Sequence, residues 1–186
     1  MLRSADYIYD NIVIADEKNT TKQFCKKAQV GVDFSVSRVY KITTSGVIRK
    51  NHSEVSRYDE IKPSRIDKLS TGECFIGWFL PEGTYLIEPN EGVQLGPNDT
   101  GYFIQRSSFN RSGVSLISSV FDPGYTTASK DGIGTFTLRM NVDNENGVYF
   151  EKNTRVAQML VFENEDTELY DGQFQNGRTT SKLLEK

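Results

Sequence analysis

Cysteine and histidine are the scarcest chemistry in this 186-residue chain, which holds two cysteines and one histidine. Cys25 and Cys74 stand far apart, which is no disulfide framework and describes two reduced thiols. The same counts exclude a zinc nucleoside-deaminase site, which needs a His or Cys beside a catalytic Glu and then a Cys-x-x-Cys pair. His52 lies in the polar stretch Asn51-His52-Ser53-Glu54 and reads as a solvated loop residue. Long apolar runs are missing as well. No stretch approaches the ~18 residues of a membrane-spanning helix. Residues 1–10 lack the charged start and apolar middle of a signal peptide, so a soluble, cytoplasmic protein is expected. Excess positive charge is also absent. A net charge of -3 and a pI near 5.3 argue against long nucleic acid held on a basic surface. A small anionic ligand, which needs only a few local cations, remains open.

What is present is β-forming. Short segments rich in Val, Ile, Phe and Tyr recur between Gly, Pro, Asn and Asp, the pattern of many short strands closing into a barrel or sandwich. The fold class is therefore all-β, in one domain spanning residues 1–186. The clearest strands are expected at residues 30–39, 83–87, 102–106, 113–119, 134–140 and 154–162. Tight turns are expected at Pro81-Glu82-Gly83, Gly96-Pro97-Asn98-Asp99, Asp122-Pro123-Gly124 and residues 143–147. Residues 48–73 carry much charge and few apolar anchors and read as a polar excursion from the barrel. The N-terminal segment, residues 1–27, is mixed in pattern, with a short helix expected. Residues 171–186 are polar and glycine-bearing, as in a flexible tail.

One segment concentrates anion-binding chemistry. Arg106-Ser107-Ser108-Phe109-Asn110-Arg111-Ser112-Gly113 follows an expected strand and sets two guanidiniums, three hydroxyls and backbone N–H groups within eight residues. Arginine's planar fork matches phosphate oxygens, and Ser107 or Ser108 could cap a short helical turn facing an anion. The alternative is a surface loop with incidental arginines. Likewise Asp122 either opens a turn before Pro123 or serves a reaction. Asp33 stabilises a strand bend or acts in a site, and Tyr125 and Tyr170 are core rings or ligand contacts.

The joint order of these segments raises the functional reading above these alternatives. Arg-Ser-Ser-x-x-Arg, followed by Ser118-Ser119-Val120-Phe121-Asp122-Pro123-Gly124-Tyr125, resembles the core of the trimeric dUTPase/dCTP deaminase family, on its dCTP deaminase-like dUTPase branch. Gly31-Val32-Asp33-Phe34 resembles that family's first motif, and Arg155-Val156-Ala157-Gln158-Met159 its late core strand. With the tail included, the similarity runs from about residue 28 to 181. The resemblance implies a dUTPase-like distorted β-barrel or jelly-roll, a homotrimer with active sites at subunit interfaces, and a deoxypyrimidine nucleoside triphosphate as ligand. It implies phosphate binding by Arg106, Ser107, Ser108 and Arg111, and nucleoside binding by Ser118, Tyr125, Thr137, Tyr170, Gln173 and Gln175. Magnesium is implied as Mg2+ held mainly by triphosphate oxygens and water, with no protein metal site.

Two departures bear on the reaction. Zinc-free deamination needs a carboxylate near C4 of cytosine, and relatives supply it in a Leu-Glu pair where this chain has Leu138-Arg139. A permanently charged guanidinium cannot be that base. The dUTPase branch uses an Asp three residues before a Tyr to orient water, and Asp122 stands at that spacing from Tyr125. The resemblance thus implies dUTP hydrolysis to dUMP and pyrophosphate with Asp122 catalytic. dCTP deamination and a catalytically silent binding module are the alternatives. An insertion-like stretch at residues 126–132 follows the turn, and in the tail Gln173 replaces an expected Lys, with Arg178 as a substitute cation.

Overall fold

The computed structural model describes residues 1–15, 22–50, 53–67, 72–129, 132–165, 168–172 and 175. His52, Gln173 and Arg178, singled out above, lie outside the described residues. Among the described residues, ten strands of three or more residues build the body. They are β1 (Val32–Ile42), β2 (Tyr58–Ile61), β3 (Ser64–Ile66), β4 (Phe75–Leu80), β5 (Gly83–Pro89), β6 (Asp99–Gln105), β7 (Val114–Ile117), β8 (Leu138–Val142), β9 (Val148–Glu151) and β10 (Arg155–Glu163). The main sheet runs β6-β10-β1-β5-β8-β7, antiparallel throughout, with β2 and the Lys26–Lys27 pair also bonded to β1. A smaller sheet runs β9-β4-β3.

The main sheet curls until its two ends meet. β7 and β6 are joined by side chains: the Leu116 N–H donates to Gln105 Oε1 at 2.8 Å and the Phe103 N–H to Ser118 Oγ at 3.3 Å. Register shifts in β1 between Val36 and Arg38 and in β10 between Arg155 and Ala157 supply curvature. An extra residue on one strand bends it and increases its twist, which a nearly closed barrel requires. The interior is aliphatic and aromatic, with Phe34, Val36, Ile87, Leu138, Met140 and Met159 all buried. Alternation explains most of it, because successive side chains of a strand face opposite sides.

Four differences from the sequence reading have physical causes. The strand expected at residues 134–140 pairs only from Leu138, because the Gly134 N–H donates to Thr127 O at 2.6 Å and keeps residues 134–137 beside the preceding turn. Its alternation nevertheless holds: Phe136, Leu138 and Met140 are buried, while Thr135, Thr137 and Arg139 face outward. Within residues 48–73, β2 joins the main sheet and β3 the small one, anchored by buried Tyr58 and Ile66. The insertion-like stretch holds a pairing of its own, Ala128–Ser129 with Gly132–Ile133. With Ala5–Tyr7 as α1, neither Ser107 nor Ser108 caps the helical turn α2 (Ser107–Arg111). Arg106 occupies the N-cap without a side-chain bond to the turn, because its guanidinium is engaged elsewhere.

The N-terminal segment forms one short helical turn over Ala5–Tyr7 that continues as a wider turn to Ile12. It is latched to the barrel by Asp99, which is 1% exposed and accepts from Arg3 Nε at 2.8 Å and from the Tyr7 hydroxyl at 2.9 Å. No helix among the described residues is long and apolar enough to cross a membrane.

Candidate active site

Asp122, Pro123, Gly124 and Tyr125 form a tight turn in which the Tyr125 N–H donates to Asp122 O at 3.0 Å. Gly124 has φ +77, the left-handed backbone that a Pro-Gly turn demands and that glycine adopts without strain. Both flanks are pinned. Phe121 exchanges two backbone hydrogen bonds with Gly101, each 2.9 Å, and Leu95 and Gly96 bond to Tyr125 and Gly124. Thr127 is fully buried and exchanges bonds with Val93. The turn is thus rigid, and it presents the exposed Asp122 to a cavity of about 590 Å³.

Rings line this cavity in a connected series. Phe121 meets Tyr125 edge-on at 5.2 Å, and Tyr125 meets Tyr170 at 5.7 Å. Burial pushes the Tyr125 hydroxyl up to about 12, so it stays a neutral phenol. Thr137 and Leu86 form the side, with Ser119 and Val120 leading into the turn. Ser118 does not line it: its hydroxyl donates to Ser119 O at 2.7 Å and accepts from Phe103, which fixes the loop from behind. Arg139 faces outward opposite Leu86 and Ile117 and is likewise not part of the lining.

The tail returns to the same turn. The Tyr170 N–H donates to Pro123 O at 2.8 Å. The Gln175 amide accepts from the Thr126 N–H at 3.3 Å and donates to Gly124 O at 3.0 Å, so this glutamine straps the tail to the turn rather than facing the cavity.

The Arg-Ser-Ser segment lies beside a second cavity, of about 300 Å³, lined in part by Arg106, Ser108 and Ser112. Arg106 is held from below. Its Nε stands 3.3 Å from Asp33 and its Nη1 donates to Arg155 O at 3.1 Å, which gives the first-motif aspartate a role no local pattern revealed. Ser107, Ser108 and Arg111 are exposed. Arg155 also lines this cavity, a cation the sequence reading did not assign. The signal for it was its place in Arg155-Val156-Ala157-Gln158, where the β10 bulge leaves Val156 and Ala157 both buried and Arg155 at the cavity. The two cavities share no lining residue.

A family model described as dCTP deaminase-like matches residues 4–164. The deoxyuridine 5'-triphosphate nucleotidohydrolase of Methanocaldococcus jannaschii is 29% identical over 163 residues, covering 83% of this chain and 94% of that protein. A probable deoxyuridine 5'-triphosphate nucleotidohydrolase of Aeropyrum pernix is 31% identical over 147 residues, covering 78% of this chain and 82% of that one. Among solved structures, the 2'-deoxycytidine 5'-triphosphate deaminase of Agrobacterium tumefaciens superposes with a TM-score of 0.57 at 12% identity. That match covers 90% of this chain and 49% of the deaminase chain, about half its length, and it speaks for the fold.

Proposed function

Because the chain belongs to the dCTP deaminase-like family, we propose that it is a dUTP nucleotidohydrolase, converting dUTP and water to dUMP and pyrophosphate. The observation that carries this reading is the contrast between Asp122 and Arg139. The one carboxylate that hydrolysis needs stands on a rigid turn at the nucleoside cavity, whereas an outward-facing guanidinium occupies the place of the deaminase base.

In the reaction, a water oriented by Asp122 attacks the α-phosphorus. A bond forms from the water oxygen, the bridging P–O bond toward the β-phosphorus breaks, pyrophosphate departs, and Asp122 accepts the water proton. Positioning and charge neutralisation supply most of the rate in such chemistry. Arg106, Ser107, Ser108 and Arg111 hold the triphosphate, with Asp33 keeping Arg106 oriented. Tyr125 packs beneath the sugar, where a fixed ring excludes a 2′-hydroxyl. Backbone groups beside Ser118 and Thr137 read the base, Tyr170 and Gln175 belong to a tail that closes over the turn, and Gln173 is a nucleoside contact by the family resemblance.

Magnesium arrives with the substrate. The ion would be held by phosphate oxygens and water rather than by a cage of protein ligands. The working unit is a homotrimer in the cytoplasm, each site lying between protomers. The separation of the nucleoside cavity from the phosphate loop within one chain supports this assembly, as do the half-exposed Tyr102, Ile104 and Phe162 on the barrel exterior.

The test is Asp122→Asn, which keeps the turn and removes the proton acceptor. Pyrophosphate release should fall about 10³-fold while dUTP binding persists. Turnover within about 3-fold of the parent would reject Asp122 as the water-orienting group. A binding module without turnover is favoured by Arg139 and by the altered hairpin and tail, and it would show nucleotide binding with no pyrophosphate from the parent chain.

A further inference from the structure

Beyond Thr137 the nucleoside cavity meets a side chain that the reaction above leaves without a task. The Gly134 N–H bond to Thr127 O seats residue 134 beside the Asp122 turn, and the chain then runs away from that turn into β8. Along it Thr135 and Thr137 line the cavity, and the next residue on their face is Arg139, which is exposed. Residues two apart on a strand share a face and stand about 7 Å apart. Across the sheet Arg139 pairs with Leu86, which also lines the cavity, and on its other side with Ile117. Directly paired side chains start about 5 Å apart. Arg139 thus stands at the rim, one position from the lining along its own strand and one position across the sheet.

The neighbours of Arg139 on this face are Thr137, Asn141, Leu86 and Ile117, and none of them carries a negative charge. Its aliphatic stem can lie over Leu86 and Ile117 while the guanidinium turns toward the cavity, as long cationic side chains do on apolar surface. A guanidinium offers five N–H donors and no acceptor, so it suits an acceptor on the ligand. With Asp122 and Tyr125 assigned to the water and the sugar, the base lies farther from the turn, toward Thr137 and Arg139. Uracil presents a carbonyl acceptor, O4, at the ring edge remote from the sugar, where cytosine presents an amino donor. A donor held at that edge attracts the first base and opposes the second.

We propose that Arg139 is a specificity-determining residue that selects uracil over cytosine by donating a hydrogen bond to O4 of the base from the rim of the cavity. The inference rests on the dUTP reading for its ligand and for the direction in which the base lies. It gives the guanidinium a positive task in binding, where the reaction above uses it only as a group unable to act as a base.

The experiment compares the parent chain with Arg139→Ala and Arg139→Lys, both at an exposed position that the fold tolerates. Affinity is read by calorimetry with non-hydrolysable α,β-imido analogues of dUTP, of dCTP and of the 2-pyrimidinone deoxynucleotide, whose ring lacks the 4-oxo group. Kinetics are read by pyrophosphate release from dUTP. Arg139→Ala should weaken the dUTP analogue about 10-fold and raise KM by the same factor with little change in kcat, as loss of a uniform binding contact does. Arg139→Lys, which keeps a cationic donor, should fall between. The 2-pyrimidinone analogue should bind the parent about 10-fold more weakly than the dUTP analogue and lose nothing further with Arg139→Ala. The dCTP analogue should bind Arg139→Ala as well as the parent or better, so the preference between the two bases narrows about 10-fold or more. A dUTP-analogue affinity within about 3-fold of the parent in Arg139→Ala would overturn the proposal. So would an equal loss for all three analogues, which would make Arg139 a diffuse attraction for the triphosphate. Calorimetry separates this from the hydrolase reading, because a parent chain that binds the dUTP analogue without turnover still reports the Arg139 contact. A parent chain that binds none of the analogues would overturn both.

Discussion

Replacing Glu91 by Gln should flatten the pH dependence of stability. Glu91 is 2% exposed just beyond β5, and its carboxylate accepts from the Ser35 N–H at 2.9 Å and the Ser35 hydroxyl at 2.6 Å. Those two bonds favour the charged form, but burial outweighs them and pushes the group up from 4.5 to about 7. The sign follows from proton counts. Between pH ~4.5 and ~7 the folded chain keeps a proton that the unfolded chain has lost, so stability falls as pH rises through that window and levels off above it. A shift of this size corresponds to about 3 kcal/mol over the full window. Glutamine cannot titrate, keeps an acceptor for the Ser35 N–H, and leaves the Ser35 hydroxyl proton without its partner at a cost of about 1 kcal/mol. Glu91→Gln should therefore be about 1 kcal/mol less stable than the parent at pH ~4, about equal to it at pH ~5 and about 2 kcal/mol more stable at pH ~8. Urea unfolding at fixed protein concentration, followed through the single and buried Trp78, measures the difference. Parallel stability curves for the two proteins between pH 5 and 8 would refute the reasoning.

Two more substitutions test the frame around the site. Asp99→Asn removes the charge that Arg3 and Tyr7 share at a 1%-exposed position. It should cost about 2–3 kcal/mol in urea unfolding and expose the N-terminal segment to trypsin at Arg3, and an unchanged digestion pattern would contradict the latch. Gly31→Ala places a Cβ 2.2 Å from the Met159 carbonyl oxygen at φ +81, so a loss of more than about 3 kcal/mol or failure to fold is expected. A variant melting within a few degrees of the parent would show that β1 and β10 can separate there.

How much of this was legible in the sequence follows from the range of each interaction. The Asp122-Pro123-Gly124-Tyr125 turn and the alternation through Phe136, Leu138 and Met140 depend on neighbours in the chain, and both could be read from them. The role of Asp33 could not, because its partner Arg106 comes from a distant strand end and the contact exists only once β1 and β6 flank β10. The same partner explains why Arg106, and not a serine, begins α2. Residues 48–73 read as polar because their anchors are few, yet Tyr58 and Ile66 suffice to seat two strands. Ser118 and Gln175 carry polar groups that suit a ligand as well as a backbone. Only geometry shows that they bond to the barrel loop and the tail turn.

The most direct test of the central claim is to incubate the parent protein with dUTP and, separately, dCTP, each with magnesium, and to follow pyrophosphate release together with conversion of cytosine to uracil. Pyrophosphate from dUTP, with no uracil formed from dCTP, is the predicted result. Uracil from dCTP would return the reaction to deamination despite Arg139, and nucleotide binding without either product would make the chain a binding protein on an enzyme fold.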